Sequence, residues 1–94
     1  LEAARYKQLK LMESAGELSH LELQPKYPCE VNGKKICTYI ADFRYQLKNG
    51  DTVVEDVKGV ETAVFKLKKK LVESLYPGVK IQIVKNPRFF VVSG

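Results

Sequence analysis

Apolar and polar positions along this chain recur in two periods, one near 3.6 residues and one of two. In residues 1–15, Leu1, Ala4, Leu11, Met12 and Ala15 gather on one side of a helical wheel, with Leu9 at its border, which predicts a helix. Gly16 is its natural stop. In residues 18–24, Leu21 and Leu23 alternate with polar neighbours, so the pattern turns to a strand that ends near Pro25. Residues 27–31 and 34–47 read as two further strands, joined by Asn32-Gly33, a strong hairpin signal. A second turn at 48–51 leads into a β-branched strand over 52–58. Gly59 breaks that strand, and residues 61–75 return to helical spacing with Val64, Leu67, Leu71 and Leu75 on one face. Tyr76-Pro77-Gly78 ends the helix, residues 79–84 form another strand, and Phe89 to Val92 suggest a short edge strand. Strand–helix–strand over 52–84 predicts two parallel strands with a right-handed crossover. The expected class is α/β (α+β), with a mixed sheet flanked by helices.

Length and composition narrow this reading. The chain has 94 residues, enough for a single domain over 1–94, and neither a repeat nor a linker divides it. Apolar residues make up 45% and charged residues 29%, ordinary for a folded globule. No apolar run approaches the ~18 residues that span a bilayer, and the charged start is unlike a signal peptide. A cytoplasmic protein is therefore expected. The chain starts at Leu1 without a Met and inside a helical pattern, which predicts further residues upstream. The net charge of +5 favours a polyanionic partner, because neutralised phosphates release counterions. Cys29, Cys37 and the single His20 do not make a set of four zinc ligands, and two reduced cysteines are expected.

Candidate chemistry concentrates in residues 52–58. Residues two apart in a strand share a face, so Val53, Glu55 and Val57 point one way and Val54, Asp56 and Lys58 the other. Asp56 beside Lys58 can hold a divalent cation and place an ammonium next to it, an arrangement suited to polarising a phosphate and activating water. The competing reading is a same-face ion pair worth about 0.2–1 kcal/mol. Asp42 interrupts an apolar stretch in which Tyr39, Ala41, Phe43 and Tyr45 share one face. An acid in mid-strand costs free energy unless it is paired or ligates a metal. The turn at 48–51 brings its strand against 52–58, so Asp42 can approach Asp56 and form a site of hard oxygen ligands; pairing with Arg44 or Lys58 is the alternative. Glu2 falls beside Leu9 on the wheel and can face the sheet, although an acid also suits a helix's first turn.

An isolated acid, a hairpin and then acid-X-lysine resembles the signature of the PD-(D/E)XK nucleases, with Asp42, Asp56 and Lys58 in those places. Glu2 resembles the additional acid of the junction-resolving and transposon-end-cleaving branches. More narrowly, Leu21-Glu22-Leu23-Gln24-Pro25-Lys26, Tyr39-Ile40-Ala41-Asp42-Phe43 and Val54-Glu55-Asp56-Val57-Lys58-Gly59 look like a small phage and prophage domain family of unknown function grouped with these nucleases. The resemblance spans roughly residues 1–84. Ala41 stands where the family name has proline, and Glu55 adjoins Asp56, so a bulge would exchange their roles. The resemblance implies a restriction-endonuclease-like core and a Mg²⁺- or Mn²⁺-dependent DNA endonuclease of a bacterial or phage-infected cell. It implies Asp42 and Asp56 as metal ligands with the Val57 carbonyl, Glu2 completing the site, and Lys58 positioning the attacking water. Cleavage would leave a 5′-phosphate and a 3′-hydroxyl. Junction-cutting relatives dimerise, so a homodimer is one option.

Lys66, Lys69 and Lys70 fall on the polar face of the second predicted helix, where they are candidates to track a phosphate backbone or simply form a solvated face. Lys68 lies within the apolar stripe, from which a long side chain can snorkel. Gln24, at a strand end, is a candidate auxiliary residue, and His20 is expected to be structural or exposed. Tyr27, Phe89 and Phe90 are expected to pack rather than stack on bases. Two alternatives to the enzyme are a nucleic-acid-binding domain that kept the fold without cleavage and a structural module of a phage particle.

Overall fold

The computed structural model describes residues 2–85. The elements follow the chain as α1 (Glu2–Ser14), β1 (Leu18–Leu23), β2 (Lys26–Val31), β3 (Lys34–Ile40), β4 (Phe43–Leu47), β5 (Thr52–Val57), α2 (Ala63–Leu75) and β6 (Ile81–Val84). The edge strand expected through Phe89 and Phe90 lies outside the described residues.

The turns form where the local chemistry allows the backbone to reverse. Asn32 and Gly33 have φ of 52° and 77°, the left-handed pair required by a tight hairpin, and they join β2 to β3. The strands form a four-stranded sheet in the order β1-β4-β5-β6 and a separate two-stranded β2-β3 sheet. β1–β4 and β4–β5 are antiparallel, and β5–β6 is parallel, as expected for strand–helix–strand. The class is therefore α/β with a mixed sheet.

Each face of the larger sheet carries its own core. Leu9 of α1 packs with Leu18, Phe43, Tyr45, Val53, Val57 and Val84 on one face. On the other, Val54 and Ile81 meet Phe65 and Val72 of α2 and Tyr27, Cys29, Tyr39 and Ala41 from the hairpin arm. Tyr27 meets Tyr76 edge-on with ring centroids 5.2 Å apart, which ties the hairpin to the end of α2. Cys29 and Cys37 are free thiols paired across β2 and β3. Burial pushes the Cys29 thiol up from its usual range, with the Cys37 thiol adding to the effect.

Three expectations are corrected. Residues 34–47 are not one strand: the chain leaves the small sheet at Ala41-Asp42 and enters the large one at Phe43. The alternation of Tyr39, Ala41, Phe43 and Tyr45 persists because all four are buried, but the first two belong to one core and the last two to the other. In α1, Leu9 is fully buried and Leu11 is 72% exposed, so the inward face runs through Leu9 rather than Leu11. In α2, Val64 and Leu67 are exposed, while Phe65 and Val72 are buried. The inward faces of both helices include charged groups, which an apolar stripe does not register.

Leu9→Ala is expected to cost about 2–5 kcal/mol in chemical denaturation, through lost burial and the cavity left behind. Leu11→Ala is expected to stay within about 0.5 kcal/mol of the parent. Equal losses would contradict the placement of α1.

Candidate active site

The chain switches sheets at Ala41-Asp42, and this places an acid at the mouth of the large sheet. Ala41 N–H donates to Pro25 O at 3.1 Å, the last bond toward the hairpin, and Asp42 N–H donates to Glu55 O at 3.2 Å, the first toward β5. Phe43 opens the β4–β5 ladder opposite Glu55, and the Asp42 N–H reaches that same Glu55 carbonyl, so Asp42 sits just outside the ladder beside the end of β5. The Val57 N–H then donates to Asp42 Oδ2 at 2.8 Å and holds that carboxylate against the end of β5. Arg44, the alternative partner for Asp42, instead bonds Glu22 and donates to Tyr27 Oη at 3.0 Å.

β5 is in regular register with both neighbours, so its side chains alternate without a bulge. Glu55 and Asp56 therefore face opposite ways. Glu55 is fully buried and satisfied by Arg5 and Tyr45. Asp56 is 1% exposed, and neither of its carboxylate oxygens has a hydrogen-bond partner. The Lys58 Nζ stands 4.0 Å from Asp56 Oδ1, too far for a hydrogen bond, and 4.7 Å from the centroid of the Phe65 ring. Burial raises the Asp56 carboxyl from an ordinary 3.8 to about 6, while the Lys58 ammonium and the nearby Asp42 N–H pull it back only in part.

Glu2, in the first turn of α1, adds the third acid. Its pKa is raised by a hydrogen bond with the Asp42 carboxyl, then by repulsion from that carboxylate and by partial burial, with Asp56 contributing further. Glu2, Gln24 and Asp42 line a cleft of about 370 Å³ with Tyr6, Leu23 and Phe43. A second cleft of about 330 Å³ lies between Ile40 and the start of α2, bordered by Lys58, Thr62, Val64 and Lys68. Each is large enough to receive a sugar-phosphate unit.

Residues 1–90 match the family model described as "Protein of unknown function (DUF1064)". The chain belongs to this family. No curated protein and no solved structure matches it.

In this DUF1064 chain, Glu2 and Asp42 share the first cleft with Gln24, and Lys58 stands beside Asp56 at the end of β5, where the Val57 N–H holds Asp42. The lysines divide differently. Lys66 and Lys70 are exposed and line neither cleft, and Lys69 pairs with Glu73 at 3.2 Å. Lys68, which the apolar stripe had claimed, lines the second cleft with Lys58. His20 is exposed, with its Nδ1 3.1 Å from Ser19 Oγ. Missed altogether were the Arg5–Glu55–Tyr45 cluster and the Phe65 ring over Lys58. Strand parity put Glu55 on the face opposite Asp56, and it was the available signal for the first of these.

The donor set suits a hard divalent cation in one respect above others: Asp56 presents two carboxylate oxygens without a hydrogen-bond partner, and the Asp42 carboxylate is held at the neighbouring Val57 N–H. Among the described residues no three acidic, histidine or cysteine side chains converge as a finished metal cage, so the fit rests on this pair.

The Asp56 pKa has a thermodynamic sign. The folded chain holds the Asp56 proton more tightly than the unfolded chain, so this site favours folding below about pH 4 and loses that advantage as pH rises through 6. The ionised carboxylate then costs about 3 kcal/mol at pH 8, from roughly 1.4 kcal/mol per pH unit. In chelator, Asp56→Asn is expected to be more stable than the parent at pH 8 by about 1–3 kcal/mol and to lose the slope between pH 4 and 6. Urea titrations across that range check both. A variant less stable at pH 8, with its slope intact, would contradict the assignment.

Proposed function

We propose that this chain is a PD-(D/E)XK-type nuclease that hydrolyses phosphodiester bonds in DNA and uses Mg²⁺ or Mn²⁺. The observation that carries the reading is the Asp56 carboxylate, buried with both oxygens unpartnered and beside the Lys58 ammonium, with the Asp42 carboxylate held at the next residue of β5 by the Val57 N–H. A structural ion pair would close the 4.0 Å gap or supply other donors, because an unpaired buried charge is costly. The mixed sheet flanked by helices agrees with the core that the resemblance implies, and the +5 charge suits a polyanion.

In this reading Asp42 and Asp56 hold the cation, joined by the Val57 carbonyl and Glu2. When bound, the cation lowers the pKa of water and polarises the phosphate. Asp42 is fixed for its task by the Val57 N–H. The Lys58 ammonium faces the phosphoryl oxygens, where it stabilises the charge that develops in the transition state and orients the attacking water. The Phe65 ring limits where that ammonium can swing. Lys68, across the second cleft, holds a backbone phosphate beside the scissile one.

The setting proposed is the cytoplasm of a bacterial or phage-infected cell; among the described residues no helix is long and apolar enough to cross a membrane. Duplex DNA is wide for so small a core, and a homodimer making paired cuts is part of the proposal. One observation favours a binding domain without cleavage as the second reading: no metal cage is preformed among the described residues.

Incubation with supercoiled plasmid and with a labelled four-way junction, in Mg²⁺ or Mn²⁺, is expected to give metal-dependent cutting. Asp56→Asn and Lys58→Met are each expected to slow it about 100-fold or more. Faster cutting of the junction would add selectivity for branched DNA. A folded protein that binds these substrates and cuts none would favour the second reading.

A further inference from the structure

Glu55 and Asp56 are adjacent, equally buried acids with opposite surroundings. Glu55 accepts from Arg5 Nε at 2.7 Å, from Arg5 Nη2 at 2.9 Å and from Tyr45 Oη at 2.7 Å. The guanidinium grips both carboxylate oxygens, and the phenol takes a further lone pair. Such a bidentate pair is directional: it fixes the rotation of the helix that carries the arginine as well as its distance from the sheet.

The rotation of α1 needs fixing. Leu9 is the one fully buried side chain among the described residues of this helix, with Met12 only partly buried against the same core, and so few apolar anchors set the rotation of the helix loosely. Tyr6 adds a stacked contact to Phe43 with ring centroids 6.3 Å apart. Arg5 lies three residues after Glu2, so the two side chains rise from nearly the same side of the first turn. A roll by one residue position, about 100°, would carry Glu2 away from Asp42. Burying an ion pair is a poor way to gain stability, because desolvation offsets most of the attraction. Apolar side chains would hold the helix down as well, without dictating its rotation.

We propose that Arg5, Glu55 and Tyr45 form a clamp that fixes the rotation of α1 and so sets Glu2 in the cleft it shares with Asp42, at the edge of the proposed cation site. The inference rests on the cation site proposed above. Glu55 is in this account a positioning residue and not a ligand, and the two adjacent acids of β5 divide the work: one orients the helix, the other stays unpaired for the ion.

Calorimetric titration with Mn²⁺ alone tests it. Arg5→Met by itself strands a buried carboxylate and threatens the fold, so the decisive variant is the double Arg5→Met/Glu55→Met, which replaces both charges with apolar side chains of similar length. It is expected to stay folded and bind Mn²⁺ about tenfold more weakly than the parent, matching Glu2→Gln. Adding Glu2→Gln to the double variant is expected to cause no further loss, because Glu2 is already displaced. Arg5→Lys, which keeps the charge but not the fork, should fall between. A folded double variant with parental affinity, or additive losses in the triple variant, would overturn the clamp while leaving the cation site standing. A parent protein that binds no Mn²⁺ would overturn the cation site and the clamp with it. If the double variant fails to fold, Arg5→Lys, which keeps the charge and loses the fork, decides: weakened Mn²⁺ binding supports the clamp, and parental affinity overturns it.

Discussion

Holding an ionised carboxylate away from water without a hydrogen-bond donor is among the least favourable local arrangements a small fold can contain. Asp56 is in that position, and much of the surrounding structure is arranged around it. β5 is central in the large sheet, between β4 and β6, so water does not reach Asp56 from either side along the strand plane. α2 closes over one face through Phe65 and brings that ring beneath the Lys58 ammonium. The ammonium remains at 4.0 Å, close enough to moderate the charge and too far to satisfy it. A core optimised for stability alone would place an apolar residue there. The balance is a familiar one at functional sites, where local free energy is given up to keep a group reactive or available.

The two faces of the sheet solve opposite electrostatic problems with the same residue type. On the α1 face, Glu55 is surrounded by donors and locked in place. The same packing of α1 raises the Tyr45 hydroxyl well above the usual tyrosine range, chiefly by burial, with the Glu55 carboxylate adding to it. That hydroxyl therefore stays a protonated donor throughout the physiological range. On the α2 face, Asp56 has no donor within hydrogen-bonding distance, only the Lys58 ammonium at 4.0 Å and the nearby Asp42 N–H. Strand alternation is what separates a structural acid from an uncompensated one at consecutive positions.

Much of this was legible in the chain. The Asn32-Gly33 hairpin, the strand–helix–strand unit and the segregation of Glu55 from Asp56 follow from turn chemistry and period-two alternation, both local properties. The break at Ala41-Asp42 was not legible, because alternate burial continues unbroken from Tyr39 to Tyr45 while the core being filled changes. The helix faces were misplaced for a related reason. Leu11, Val64 and Leu67 form persuasive apolar rows yet are exposed, whereas Arg5 lies inward because its charge is matched by Glu55 across 50 residues of chain. Lys68 entered the cleft region by the same kind of tertiary placement. Apolar counting registers the transfer free energy of each side chain alone, and it cannot see a partner supplied by another element.

The most direct test of the central claim is anomalous scattering from crystals grown with Mn²⁺. The account predicts a peak within coordination distance of the Asp56 carboxylate and shared with Asp42, absent in Asp56→Asn crystals grown the same way. A peak elsewhere, or none at Mn²⁺ concentrations that support ordered crystals, would contradict it and leave Asp56 as a buried acid without a cation.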